Sequence, residues 1–313
     1  MQRLKWFVGA IALLALACGE VSESSTLVVR DGEGVLELPL VSTSAGRSYK
    51  LVGATFAITG PQSATITETS EDSVSLALIA GTYSIQMNGE WHVERTDAPG
   101  VVVPVTLVSP NPLTFTLGEG ETQPVRFLFK VPGDATADVG IGVDSGGWIS
   151  GTLDFGPLYQ PLPGEPPDIF SELSEKSIPF VISFESTTIT RSVEFGTKQI
   201  QVQTSPVTFQ LGGSVPGAVM QRFVAMLQGH SMNLFMGAYS SGGPFASFMG
   251  PIFLENMERN VRFELDPIGL VPMGVDPEGY PLLQTVPFSA NASLSDGSTS
   301  IFGFVSNGTF SPQ

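Results

Sequence analysis

What most restricts the fold is a period-two alternation of apolar residues that recurs from Leu36 to within a few residues of Gln313. It appears at Leu36-Leu38-Leu40, Val52-Ala54-Phe56-Ile58, Val74-Leu76-Leu78, Tyr83-Ile85-Met87, Leu113-Phe115-Leu117, Val125-Phe127-Phe129-Val131 and Val139-Ile141-Val143. It resumes at Ile178-Phe180-Ile182-Phe184, Ile189 to Phe195, Ile200-Val202, Val207-Phe209-Leu211, Val261-Phe263-Leu265, Val286 to Ala292 and Ile301 to Val305. A strand turns successive side chains to opposite faces, so each run makes one apolar and one polar face. Turn residues separate the runs, at Gly60-Pro61, Ala80-Gly81, Asn88-Gly89, Pro110-Asn111-Pro112 and Pro132-Gly133-Asp134. Thirty-five Gly and twenty-four Pro, with only 14% charged residues, suit many short strands and turns better than helices. The pattern predicts an all-β fold of two antiparallel β-sandwich domains.

The stretch from Gly156 to Asp168 (GPLYQPLPGEPPD) holds five prolines, which remove ladder donors and stiffen the backbone. It predicts a linker at 156–168 between a first domain at 27–155 and a second, mainly-β domain at 169–313. Asp168 is placed to cap a short helical turn over Asp168 to Lys176. One segment breaks the β rhythm. Val219, Met220, Phe223, Val224 and Leu227 fall on one helical stripe, with Ser214 as cap, Pro216 in the first turn and Gly229 as terminator. They predict one helix near 215–228.

The first residues carry a different message. Arg3 and Lys5 precede the apolar run Trp6 to Ala17, which is too short to span a bilayer as a permanent helix and reads as a secretory signal peptide over 1–17. Next comes Cys18, the only cysteine in the chain. Leu14-Ala15-Leu16-Ala17-Cys18 resembles the lipobox of bacterial lipoproteins, with Ala15 where that family favours Leu. The resemblance implies diacylglycerol on the Cys18 thiol, cleavage before it and acylation of the new amino terminus. Two or three acyl chains exceed what stable membrane anchoring needs. Gly19, in place of Asp, implies the outer membrane by analogy with Gram-negative sorting. Gly19 to Thr26 (GEVSESST) reads as a lipidated tether over 18–26.

Without residues 1–17, twelve Lys and Arg face thirty Asp and Glu, a net charge of −18. A chain so acidic, with no basic run, is a poor nucleic-acid binder. Cys18 has no partner for a disulfide, so stability must come from apolar cores.

Further resemblances lie in the first half. The run from Gly34 to about Asp144 resembles a β-sandwich module found repeatedly in lipoproteins of the myxobacterial type, for which no activity is implied. Its landmarks are Leu36-Glu37-Leu38-Pro39-Leu40, Tyr49-Lys50-Leu51, Ala54-Thr55-Phe56, Ala80-Gly81-Thr82-Tyr83, Trp91 with Glu94-Arg95, and Ser109-Pro110-Asn111-Pro112. Leu78 to Tyr83 is also similar to the Gly-Thr-Tyr hairpin of carboxypeptidase-regulatory-like and collagen-adhesin B-type sandwiches. No resemblance of this kind extends over residues 150–313, and no internal repeat relates the halves.

Chemistry-bearing residues are sparse. Gly229-His230-Ser231-Met232-Asn233 nearly spells the Gly-x-Ser-x-Gly nucleophile elbow. That elbow needs the serine on a strand-to-helix turn and a histidine downstream. Here Asn233 replaces the second Gly, a helix precedes the motif, and the other histidine, His92, lies upstream. His230, Met232 and Met236 form a soft-ligand set for Cu(I). They belong to a Met-rich segment containing Met220, Met226, Met232, Met236, Met249, Met257 and Met273. Methionine more often fills cores or pliable surfaces. Asp134, Asp138 and Asp144 do not have EF-hand spacing, and Trp91, Trp148 and Tyr159 are the candidates for a sugar platform.

The expectation is therefore a membrane-anchored extracytoplasmic lipoprotein, held by acylated Cys18, acting as a non-catalytic binding or envelope-structural module. No catalytic, cofactor or metal residues are assigned. A protein or glycan ligand is expected on the second domain, along the helix and the loop to about Met257. The alternatives are a serine hydrolase using Ser231 and Cu(I) binding by the Met-rich segment.

Overall fold

The structure is a computed structural model, and it describes residues 29–44, 47–130, 138–140, 146–157, 168–239 and 245–312. Cys18, Asp134, Asp144, Tyr159 and most of the Pro-rich stretch lie outside the described residues. The chain is mostly β, with one helix of any length, as the alternation predicts. No helix among the described residues is long and apolar enough to cross a membrane.

The second half is a closed barrel, where a second sandwich was expected. Its eight staves are Gly147–Phe155, Ser177–Phe184, Thr197–Gly212, Ser231–Tyr239, Ile252–Asn256, Val261–Pro267, Val286–Ser295 and Ser300–Ser311. Each pairs antiparallel with the next in sequence. Ser300–Ser311 then pairs back onto Gly147–Phe155, from Trp148↔Ser311 to Phe155↔Gly303, and closes the ring. The expectation failed for a physical reason. Sandwich and barrel strands share the same inward–outward alternation, and only the pairing of the first stave with the last separates them. Gly147–Phe155 precedes the Pro-rich stretch, so the barrel begins before the linker expected to introduce it.

Ile182, Phe209, Leu234, Leu254, Phe263, Leu294 and Val305 fill the barrel interior as one buried cluster. Outward positions on the same strands include Gln201, Gln203, Arg262, Asp266, Asn291 and Ser293. Phe235, Phe302 and Phe304 also stand exposed on these staves, so the outer face is mixed, while the packed apolar interior differs from the polar lumen of a membrane barrel.

One end of the barrel is closed by the helix, Gly217–Leu227, where Phe223 meets Phe170 and Phe209 edge-on at 5.5 and 6.2 Å. The five stripe residues are all buried, as their spacing predicts. Met220–Val224 winds as a π turn, and no side chain caps the helix start, so Ser214 does not play that role. Gly229 does terminate it, at φ +75°, a conformation glycine adopts without a Cβ penalty. Arg222 on the helix pairs with Asp296 at 3.0 Å, whose other carboxylate oxygen accepts the amides of Ser298 and Thr299. Asp168 accepts from Phe170 N at 2.6 Å and leads into the short 3-10 turn Ser171–Leu173.

Away from this cap, the loop after Pro267 folds back onto the ring. Met273 and Ala246 exchange backbone hydrogen bonds, and Arg191 clamps Asp276 and Glu278 at 2.7 and 2.8 Å. Tyr280 lies beneath the Arg191 guanidinium.

The first half is built of smaller sheets. Glu33–Pro39 lies between Ser73–Ile79 and, in parallel, Thr122–Pro124. Val41–Ser44, Arg47–Val52, His92–Arg95 and Ala98–Val103 form a second sheet. Ala64–Ile66, Thr55–Thr59, Gly81–Asn88 and Leu113–Leu117 form a third run of strands, which continues the sheet of the barrel. Thr106–Leu107, Leu128–Lys130 and Asp138–Gly140 make a fourth. Their apolar faces share one core containing Leu36, Leu51, Phe56, Tyr83, Phe115 and Phe127.

Candidate binding cleft

The two halves are joined by a ladder that is two residues long. Leu113↔Gly212 and Thr114↔Leu211 pair Leu113–Leu117 with the third barrel stave, and Gly213 N donates to Pro112 O at 3.1 Å. Beyond Thr114 the strands part, because the next stretch of the barrel edge is already occupied. The side-chain amide of Gln228 takes the place of a strand there. Its Oε1 accepts from Phe209 N at 3.0 Å and its Nε2 donates to Phe209 O at 2.5 Å. Gly229 N to Val207 O and Val207 N to His230 O continue the pairing.

Beside the ladder, Gln210 bonds the halves through its buried side chain. Ser109 Oγ donates to Gln210 Oε1 at 2.8 Å and Gln210 Nε2 donates to Arg126 O at 2.9 Å, while Leu128 N donates to Ser109 Oγ at 2.8 Å. Leu128, Trp148 and Val181 pack alongside. Across the ladder from Thr208, the Ser183 hydroxyl is buried without a partner among the described residues.

Where the strands diverge a cleft of about 480 Å³ opens, within the range of ligand pockets. Leu113, Phe115, Val125, Phe209, Met220 and Val224 give it apolar walls, and Thr116, Gln123, Gln210 and Gln228 give it polar points. The π turn of the helix forms part of the wall, and such turns recur at functional sites. The titratable lining residues are Glu121 and Arg126. Glu121 Oε2 accepts from Gly118 N at 2.9 Å. Arg126 is exposed and makes no ion pair or side-chain hydrogen bond among the described residues. This lining can hold and orient a ligand, and among the described residues it contains no histidine, cysteine or lysine.

The residues singled out by sequence are dispersed. His92 lies in the first half, 2.7 Å from Glu94, whose carboxylate also accepts Gly100 N. The Gly100 amide, then His92, hold the Glu94 carboxyl below the usual glutamate range. Ser231 opens a strand just after the helix, so Gly229 to Asn233 runs helix-to-strand, the reverse of a nucleophile elbow. Met232, Met236 and Met273 are buried in the barrel core, and Met257 is exposed. Among the described residues no group of three or more His, Cys, Asp or Glu side chains could hold a metal ion. Trp91 packs edge-on against Phe129, and Trp148 is buried at the seam under Lys130.

Of the segment expected to meet a ligand, the helix lines the cleft through Met220, Val224 and Ala225, with Gln228 just after it. Thr116, Arg126 and Gln210 were not anticipated. Gln210 falls on the polar face of an alternating strand, where it reads like any solvent-facing glutamine.

No protein-family model, curated protein or solved structure matches this chain.

Proposed function

We propose that the protein is a membrane-tethered extracytoplasmic lipoprotein, anchored through acylated Cys18, that acts as a non-catalytic binding module with its ligand site in the cleft between the two halves. The observation that carries the binding reading is the cleft lining, apolar walls with scattered amides and hydroxyls and, among the described residues, one cation without an ion pair, Arg126. That composition is suited to recognition, and among the described residues it supplies no nucleophile–base pair. The tether reading rests on the Leu14 to Cys18 run.

The test uses a small-molecule fragment set, with thermal shift and amide chemical shifts as readouts. Fragments should bind the native chain and move cleft resonances, and Ala225→Trp, at an exposed lining position, should abolish the binding without unfolding the protein. Binding that survives Ala225→Trp, or shifts confined elsewhere, overturns the site. For the anchor, Cys18→Ser should move the protein from the detergent-soluble membrane fraction to the soluble one. Continued membrane fractionation would rule out lipidation there.

A further inference from the structure

We propose that the cleft receives the end of a polypeptide in extended conformation, paired with Thr116 as an added strand and holding its terminal carboxylate at Arg126. The proposal rests on the binding reading above and names the chemical class of the ligand.

Hydrogen-bond accounting leads to it. In an antiparallel ladder, alternate residues turn their N–H and C=O toward the same neighbour. Pro112 O faces the barrel, bonded to Gly213, so Thr114 and Thr116 face the same way, and Leu113, Phe115 and Leu117 face Gly81–Asn88 on the other side. Thr114 finds its partner in Leu211. The residue that would match Thr116 is Phe209, and both backbone groups of Phe209 are taken by Gln228. The half-buried Thr116 thus presents one backbone donor and one acceptor to the cleft with no strand opposite among the described residues. Unpaired, half-buried backbone groups are costly, and an extended chain relieves both at once.

The free edge is short. Gly118, the next residue turned that way, already bonds Glu121 through its own N–H and C=O. A continuing strand therefore finds no second pair, whereas the last residues of a chain need only one. Arg126 supplies the complement to such an end, a guanidinium that is unpaired among the described residues and whose fork matches a carboxylate. Met220 and Val224 offer apolar surface to a neighbouring side chain. In a chain of net charge −16, the attraction for an anion is local to this residue.

The experiment pans a displayed library of random hexapeptides with free C-termini against the whole chain in detergent. The best sequence is then made as the acid, as the C-terminal amide and with each backbone nitrogen methylated in turn. The acid should shift the Thr116 amide and the Gln228 side-chain amide. N-methylation at one position should weaken binding about tenfold or more, as loss of a buried backbone hydrogen bond does. The amide should bind about tenfold more weakly than the acid, and Arg126→Gln should erase that difference. A library with no winner, an unmoved Thr116, indifference to every N-methylation, or an acid–amide difference that persists in Arg126→Gln would each overturn the proposal. Small carboxylic acids are the control. If they move cleft resonances while peptides do not, the cleft stands and strand pairing falls; if neither does, both readings fall.

Discussion

The barrel and the first half use the same alternating sequence grammar, yet they manage strand edges in opposite ways. In the barrel the first and last staves pair and close the ring, and the stretch of the third stave beyond the fourth is covered by Leu113, Thr114 and the Gln228 side chain. In the first half Ala64–Ile66, Ala98–Val103 and Thr122–Pro124 each have a strand on one side only among the described residues. Val101 and Val102 stand exposed on one of those edges. Closure concentrates apolar burial in the barrel, while the open sheets keep backbone groups available. The cleft forms where an open sheet abuts the closed one.

The comparison is broken most directly by large-to-small substitution. Phe223→Ala removes a fully buried ring from the barrel's end cap and should cost about 3–5 kcal/mol, read as a lower denaturation midpoint. Val101→Ala on the open edge should stay within about 0.5 kcal/mol. Equal effects would mean that the two halves do not differ in packing as described. Gln210→Ala leaves Ser109 and the Arg126 carbonyl without their partner and should cost about 1–3 kcal/mol. It should also separate the unfolding of the halves, with Trp148 fluorescence reporting the seam; a single unchanged transition would place the coupling elsewhere. Arg191→Ala frees the loop around Asp276 and should cost no more than about 1 kcal/mol, because the arginine is half exposed. Faster hydrogen exchange at Tyr280 N, held by Asp276 Oδ1, should accompany it, and unchanged protection would show that the clamp does not hold the loop.

The smallest effect concerns pH. Glu94 is depressed by Gly100 N–H and His92, so its contribution is present above the ordinary glutamate value and fades as pH falls through the lowered one. Carbon-detected titration should place Glu94 below the ordinary glutamate value, and a titration at or above that value would contradict the Gly100 contact.

Much of this was legible from residue order. The Gly229 terminator, the Val219 to Leu227 stripe and the Asp168 turn are local, and local chemistry decided them. Ring closure was not legible, because no residue in Ser300–Ser311 announces that its neighbour will be Gly147–Phe155. The cleft was hidden for a related reason. Its decisive features are a backbone pair at Thr116 and a side-chain amide at Gln228 that displaces a strand, and neither leaves a mark on composition or spacing. The tight turn at Phe195-Gly196, with φ of +50° and +81°, likewise sits where Asn-Gly would have announced a hairpin.

The joining of the first and eighth staves has a consequence in time. About 150 residues of chain separate Leu153 from its neighbour Val305, and loop closure over such a span carries an entropic cost before any contact repays it. A chain emerging from its N-terminus can complete the sheets of the first half while the barrel is still an open ribbon with two raw edges. Those edges meet only when the eighth stave arrives, so the interval before it does is when this protein is most exposed to pairing with the wrong neighbour.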